Sequence, residues 1–258
     1  MADHRNEEAS LLLGRNPVRE AIERSPRNIE KVMIQQEGGG QDLADIRRLA
    51  SDAGLQVQFV PEGRLNQLAR GLNHQGVAAY AAPVAYVDVN EMLESIAPTR
   101  EDVTKRKPRI LVLDEIQDPF NFGAILRTAV ASGTDGVIVP QRNMAPLNAA
   151  AMKASAGTAN RIAIARVANV GDTIYQLKER GYWVAGAAAS GDVSVWDMDW
   201  DRPVAVVIGS EGKGIRHRIL TECDYRVTIP MAGPAESLNA SVAAGILLFA
   251  AGRHRSGA

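Results

Sequence analysis

The chain is poor in the residues that mark several functional classes. It has one cysteine, Cys223, among 258 residues. That excludes an intrachain disulfide and a cysteine metal cluster, and it fits a reducing cytoplasm. Aromatic residues make up only 5%, which argues against a stacking platform for single-stranded nucleic acid. The formal net charge is −1, so the surface is not broadly basic, although a local basic patch stays compatible with it. No apolar run approaches the length of a membrane span. Residues 1–10 are polar and mixed in charge, unlike a signal peptide, and read as disordered. The four histidines (His4, His74, His217, His254) lack metal-ligand spacing. Asp197, Asp199 and Asp201 alternate around Trp196 and Trp200 and read as a surface edge, so no metal is expected. There is no GxSxG nucleophile elbow, no internal repeat and no low-complexity segment.

What is present is a repeated βα rhythm over a length that suits one large domain or two smaller ones. Residues 11–83 alternate short strands (29–35, 56–60, 77–82) with helices (17–24, 42–53, 61–69), which predicts a small α/β unit. Asn16 and Pro17 are expected to cap and open its first helix. Residues 84–108 hold a short amphipathic piece and a charged run, and read as a linker. Its triplet Lys105-Arg106-Lys107 suits either a solvated hinge or a nucleic-acid contact. Residues 109–258 form the second unit. Its apolar runs at 110–113, 136–139, 162–165, 183–187, 204–208 and 225–229 alternate with helical patterns. This predicts a mainly parallel sheet with helices on both faces.

Three stretches carry chemistry. The first runs from Asp114 to Arg127 behind a buried strand, where open α/β sheets bind ligands. Asn121 is placed to cap a helix, and Arg127 lies about 1.7 turns further on, with a side chain that leans back toward the helix start. A plainer reading makes Asn121 only a cap and Arg127 only a surface residue. The second stretch is Gly209-Ser210-Glu211-Gly212-Lys213-Gly214. It is neither a P-loop nor a dinucleotide loop, and a simple turn also accounts for it. The third is Ser237-Leu238-Asn239-Ala240-Ser241, which opens an almost wholly apolar helix. Capping explains one of its polar residues; three together beside an apolar core ask for further partners.

Together these stretches resemble the three motifs of the SpoU (TrmH-like) family of RNA 2′-O-ribose methyltransferases: Asn121-Phe122-Gly123 through Arg127, Val207 to Gly212 through Ile229-Pro230-Met231, and Ser237 to Ala243. The resemblance covers about residues 109–253, and residues 11–83 resemble that family's substrate-binding domain, with a ribosomal-protein-like fold. It implies a deep C-terminal trefoil knot, a homodimer and S-adenosylmethionine as cofactor. The cofactor would lie against Gly209, Ile229 and Leu238, with Ile208, Pro230 and Met231 beside them. The implied catalytic set is Asn121, Arg127, Glu211, Ser237 and Asn239. The two-domain form is most similar to enzymes that methylate a guanosine ribose in 23S ribosomal RNA; a transfer-RNA target within the same family is the alternative. Arg15, Arg19, Lys105, Arg106 and Arg142 are candidate RNA contacts. A non-catalytic RNA-binding protein of this fold is disfavoured because every polar motif residue is present, and an oxidoreductase by the glycine spacing.

Overall fold

The computed structural model describes residues 11–37, 40–82, 84–234 and 237–253. The expected disorder of residues 1–10 lies outside them, as does most of the expected turn at 38–40. By contacts the chain divides into two units, residues 1–86 with 146–149, and the remainder.

The first unit carries a four-stranded sheet in the order β1-β4-β2-β3. Its elements are β1 (Leu11–Leu13), α1 (Arg15–Arg24), β2 (Ile29–Gln35), α2 (Gly40–Asp52), β3 (Val57–Val60), α3 (Glu62–Ala69) and β4 (Val77–Ala81). Only β2 and β3 run parallel; β4 pairs antiparallel with β1 and β2. Alternation along β2 divides the core. Val32 and Ile34 pack with Val18, Ile22 and Ile46 of α1 and α2. Met33 packs with Leu65 of α3, Val60 and Ala78. The first helix begins at Arg15 rather than Pro17, and Gly14 caps it in place of Asn16. Gly14 takes φ 94°, a left-handed conformation that suits glycine, and its N–H donates to the Val77 carbonyl.

The second unit opens with α4 (Val89–Ile96) and α5 (Arg100–Arg106), in the stretch expected to be a linker. Met92, Leu93, Ala97 and Val103 are buried in the core of this unit, so the stretch belongs to its fold. Its charges are explained by α5, whose single buried residue, Val103, is surrounded by polar neighbours. Thr99 and Asp102 cap that helix reciprocally.

There follow β5 (Arg109–Asp114), α6 (Pro119–Ala131), β6 (Gly136–Pro140), α7 (Ala149–Ala154), β7 (Ala163–Val167), α8 (Val170–Glu179), β8 (Trp183–Ala187), β9 (Val193–Ser194), β10 (Val204–Gly209), α9 (His217–Thr221), β11 (Tyr225–Thr228) and α10 (Ala240–Gly252). The seven strands are ordered β7-β6-β5-β10-β8-β11-β9, and every pairing is parallel. Strands β5, β6 and β10 are buried along their whole length, as continuous apolar runs require. One face packs Ile110, Val112, Val184 and Val207 under α4, α8 and α9. Helix α10 packs against α6 and β10. Gly123 in α6 has a packing reason: a Cβ there would stand 2.3 Å from the Ala151 carbonyl oxygen of α7.

Because β5, β10, β8 and β11 are parallel neighbours, their carboxyl ends open on one edge of the sheet. Strand β10 returns to the middle after β8 and β9 have been laid outside it, and such a break in strand order is where open α/β sheets commonly bind ligands.

Candidate active site

Gly209 ends β10 and starts the loop that shapes this edge. A Cβ at Gly209 would lie 2.1 Å from the Gly214 carbon and the Ile215 nitrogen, so the position accepts no side chain. The loop folds back on itself. Ser210 N–H donates to the Gly214 carbonyl at 3.1 Å, and Gly214 N–H returns a bond to the Ser210 carbonyl at 2.9 Å. Gly212 and Gly214 take φ 74° and 66°, which only glycine adopts freely. This tight turn presents Glu211.

Glu211 Oε1 accepts a hydrogen bond from Asn121 Nδ2 at 2.7 Å and another from Asn239 Nδ2. Asn239 Nδ2 also donates to Asn121 Oδ1 at 3.2 Å. The three sequence stretches therefore meet in one polar triangle. The other end of the Asn239 amide caps α10, where Oδ1 accepts from Ser241 N–H at 2.9 Å and from the Ser241 hydroxyl at 2.6 Å. Asn121 does not cap α6, contrary to expectation. Asp118 does, accepting from Phe120 N–H at 3.1 Å, with Pro119 at the first helical position, where its missing N–H costs nothing. Asn121 lies one turn inside, its amide left for the triangle.

A cavity of about 340 Å³ opens beside the triangle. Of the expected cofactor contacts, Ile208, Gly209, Ile229, Met231 and Leu238 line it; Pro230 does not, and is exposed. Ser237 also lines it, as does the stretch Ala187-Ala188-Ala189-Ser190 after β8. Sequence reasoning misses that wall, whose only signal is a run of small residues after a strand. A second cavity of about 210 Å³ shares Ser210, Glu211, Lys213 and Ala240 with the first and reaches Asn121.

Beneath the site is an ion pair, buried at its carboxylate and exposed at its guanidinium, that the sequence does not announce. Asp114, fully buried at the end of β5, accepts from Arg216 Nε and the Arg216 backbone N–H, each at 2.9 Å, and from Nη2 at 2.5 Å. Those hydrogen bonds hold the guanidinium pKa above its ordinary value. The pair ties the end of β5 to the residue that follows the glycine loop.

Residues 108–249 match the SpoU rRNA methylase family, and residues 11–87 match the RNA 2′-O ribose methyltransferase substrate-binding family. The chain belongs to the SpoU methylase family. Its relatives include a protein of Staphylococcus haemolyticus named as a TrmH family tRNA/rRNA methyltransferase. It is 42% identical over 245 residues, which span 95% of this chain and 96% of that one. A Bacillus subtilis protein of the same description, YacO, is 37% identical over 97% of this chain and 98% of its own. Among solved structures, the SpoU methyltransferase AviRb of Streptomyces viridochromogenes, in complex with AdoMet, aligns with TM-score 0.59 at 25% identity, covering 100% of this chain and 96% of that one. An AdoMet-bound rRNA methyltransferase of Sinorhizobium meliloti aligns with TM-score 0.59 at 27% identity, covering 95% and 87%.

In this SpoU methylase the other two expected catalytic residues stand apart from the triangle. Arg127 is exposed on α6, and Ser237 is exposed at the cavity wall. Among the described residues neither side chain has a hydrogen-bond or ion-pair partner. The expected RNA contacts differ in how far they are committed elsewhere. In the first unit Arg15 pairs with Asp42 at 2.9 Å and donates to the Gln75 carbonyl at 3.1 Å, while Arg19 reaches the same carboxylate at 3.9 Å. In the second unit Arg106 donates to the Ile96 carbonyl at 2.7 Å, and Lys107 pairs with Asp201 at 2.6 Å, so most of that basic triplet braces the fold. Lys105 and Arg142 are exposed. Among the described residues there is no cluster able to hold a metal ion, and no helix long and apolar enough to cross a membrane.

Proposed function

We propose that this chain transfers a methyl group from S-adenosylmethionine to a ribose 2′-oxygen of RNA, and that its target is a guanosine of 23S ribosomal RNA. The observation that carries this reading is the Asn121–Glu211–Asn239 triangle, which stands where the two cavities share a wall. The larger cavity suits the cofactor. Ile208, Ile229, Met231 and Leu238 offer apolar surface for a flat heteroaromatic ring. The small residues at 187–189 let a ligand approach the backbone beyond the strand ends, where polar main-chain groups are open.

When bound, S-adenosylmethionine supplies an electrophilic methyl carbon on a sulfonium, so no metal or covalent intermediate is required. The protein's part is alignment and charge. Glu211 is fixed through Oε1 by two amides, and Oε2 is left to accept the hydrogen of a ribose hydroxyl and aim its oxygen. Arg127 is a poor base, because a guanidinium stays protonated to above about pH 12. Its free side chain is suited to grip a phosphate of the target or to stabilise the oxygen as negative charge develops. Ser237 and Asn239 hold the geometry around it.

The same proposal covers the assembly. Val242 and Phe249, seven residues apart on α10, are 49% and 55% exposed, and this apolar face supports a homodimer. The position of β10 between β5 and β8, with β11 beyond β8, supports a trefoil knot in the last third of the chain. Residues 11–83 would present the RNA, in the cytoplasm, with the exposed Lys105 and Arg142 as phosphate contacts; Arg15, Arg19 and Arg106 would join them by exchanging the intramolecular bonds described above. The relatives' descriptions name both tRNA and rRNA, so the deciding experiment offers the protein each RNA with methyl-labelled S-adenosylmethionine. The expected result is label in 23S ribosomal RNA, at a phosphodiester that becomes resistant to alkaline cleavage because its 2′-oxygen is blocked. Label in transfer RNA alone would replace the target, and label in neither would leave a non-catalytic RNA-binding protein.

A further inference from the structure

The smaller cavity differs from the larger in the chemistry of its walls. Apart from Ile116 and Ala240, the residues that line it are polar or charged. Most of these groups are already engaged. Glu115 sits just beyond β5 at φ 61°, a left-handed conformation that is strained for a residue with a side chain. Its carboxylate is held by Asn143 Nδ2 at 3.2 Å and Arg216 Nη1 at 3.5 Å. Asp118 is spent on capping α6. Asn121 and Glu211 belong to the triangle. The Ser210 hydroxyl donates to the Gly214 carbonyl at 3.4 Å. Two side chains are left: Gln117 and Lys213 are both exposed, and among the described residues neither side chain has a hydrogen-bond or ion-pair partner.

Their chemistries are complementary for one kind of guest. Lys213 is a compact cation at a position lining both cavities. An ammonium with three donors and no fixed partner suits a phosphate. Gln117 carries a donor and an acceptor on one planar group, the pattern that pairs with the edge of an unstacked base. On the strength of the ribose-methylation reading above, we infer that the smaller cavity is the pocket of the target nucleotide. Lys213 binds a phosphate adjoining the target ribose, and Gln117 reads the edge of its base. A ribose held between them presents its 2′-oxygen toward Glu211, on the wall common to both cavities.

The test separates this assignment from the activity it rests on. Guanosine 3′,5′-bisphosphate is titrated by calorimetry into full-length protein saturated with S-adenosylhomocysteine, using wild type, Lys213→Ala, Lys213→Arg and Gln117→Ala. In parallel, KM for the accepted RNA and KM for S-adenosylmethionine are measured for each. The expected result is that Lys213→Ala weakens bisphosphate binding and raises KM for RNA about tenfold, as loss of a charge-assisted contact does. Because Lys213 also lines the cofactor cavity, its KM for S-adenosylmethionine should rise too, but by much less than its KM for RNA. The salt dependence of RNA binding should lose about 0.7 in slope, the value for one phosphate on a single strand, and Lys213→Arg should restore most of it. Gln117→Ala should narrow the preference for guanosine over adenosine bisphosphate about fivefold. A rise in KM for S-adenosylmethionine alone would give Lys213 to the cofactor and overturn the assignment. So would wild-type protein that binds no bisphosphate, or Lys213→Ala indistinguishable from wild type. A wild type that binds the bisphosphate yet methylates neither RNA would sink the activity while leaving the pocket standing.

Discussion

Two carboxylates at this edge of the sheet, Asp114 and Glu211, have opposite fates. Asp114 is fully buried, and both its oxygens are filled by one arginine. Glu211 is exposed at the tip of a glycine turn, and its Oε1 takes hydrogen bonds from two amides brought from distant parts of the chain. A saturated, buried carboxylate has nothing left for a substrate and serves the scaffold. A carboxylate held on one oxygen and open on the other is free to meet a substrate, the role proposed for Glu211. Removing either should therefore injure the protein in different ways, one in folding and the other in turnover.

The largest effect expected belongs to the substrate side. Arg127→Ala should lower turnover by about a thousandfold, while calorimetry with S-adenosylmethionine shows little change, because Arg127 does not line the cofactor cavity. Near-normal turnover would return Arg127 to the surface. On the scaffold side, Asp114→Ala removes the buried acceptor of three hydrogen bonds and leaves Arg216 only Glu115, at 3.5 Å; it should destabilise the fold by about 2 kcal/mol, because the guanidinium left behind is 47% exposed and stays solvated. Thermal unfolding measures this, and turnover per folded molecule should survive far better than in Arg127→Ala. If activity vanished without a fall in Tm, the division between the two carboxylates would collapse. Asn239→Asp then sharpens the contrast within one residue. It keeps the oxygen that caps α10 but replaces the amide donor beside Glu211 with a second acceptor. It should cost about a hundredfold in turnover and well under 1 kcal/mol in stability.

The smallest effect concerns Cys223. Burial pushes its thiol pKa up to about 12, so it is neutral at pH 8 and should react slowly with a thiol reagent until the protein unfolds. The folded state holds this proton more tightly than the unfolded chain does. Its contribution to stability is therefore complete below the ordinary thiol range near pH 8.5 and is lost as the pH rises toward about 12. Cys223 is half-buried, so its slow labelling rests on the raised pKa, and rapid labelling of the folded protein at pH 8 would contradict that shift.

The same contrast explains what the sequence discloses. Strands β5 and β10 are legible because burial on both faces leaves an unbroken apolar run. The triangle is legible as three polar stretches beside apolar walls, although not which residue caps α6: Asp118 and Asn121 both precede helical sequence, and Pro119 is the signal that decides between them. At 89–106 the first helix shows as a short amphipathic piece, while the second is hidden because α5 buries one residue in seven, so charge dominates the pattern. The Asp114–Arg216 pair joins residues 102 apart in the chain, and only the strand order brings them together. The wall at 187–190 is made of residues that take up little room, which leave little trace. Where a helical side chain such as Arg127 ends depends on what surrounds it, and spacing alone does not say.

The double duty of Asn239 has a consequence for how this protein is made. A ribosome delivers the chain from its amino end, and Asn239 comes after every strand of both sheets. Most of the walls of both cavities are therefore synthesised before the amide that closes the triangle, and that amide is set by the same residue that begins the last helix. If the triangle is the catalytic feature proposed above, a chain cut before Asn239 should keep most of both cavity walls and lose turnover.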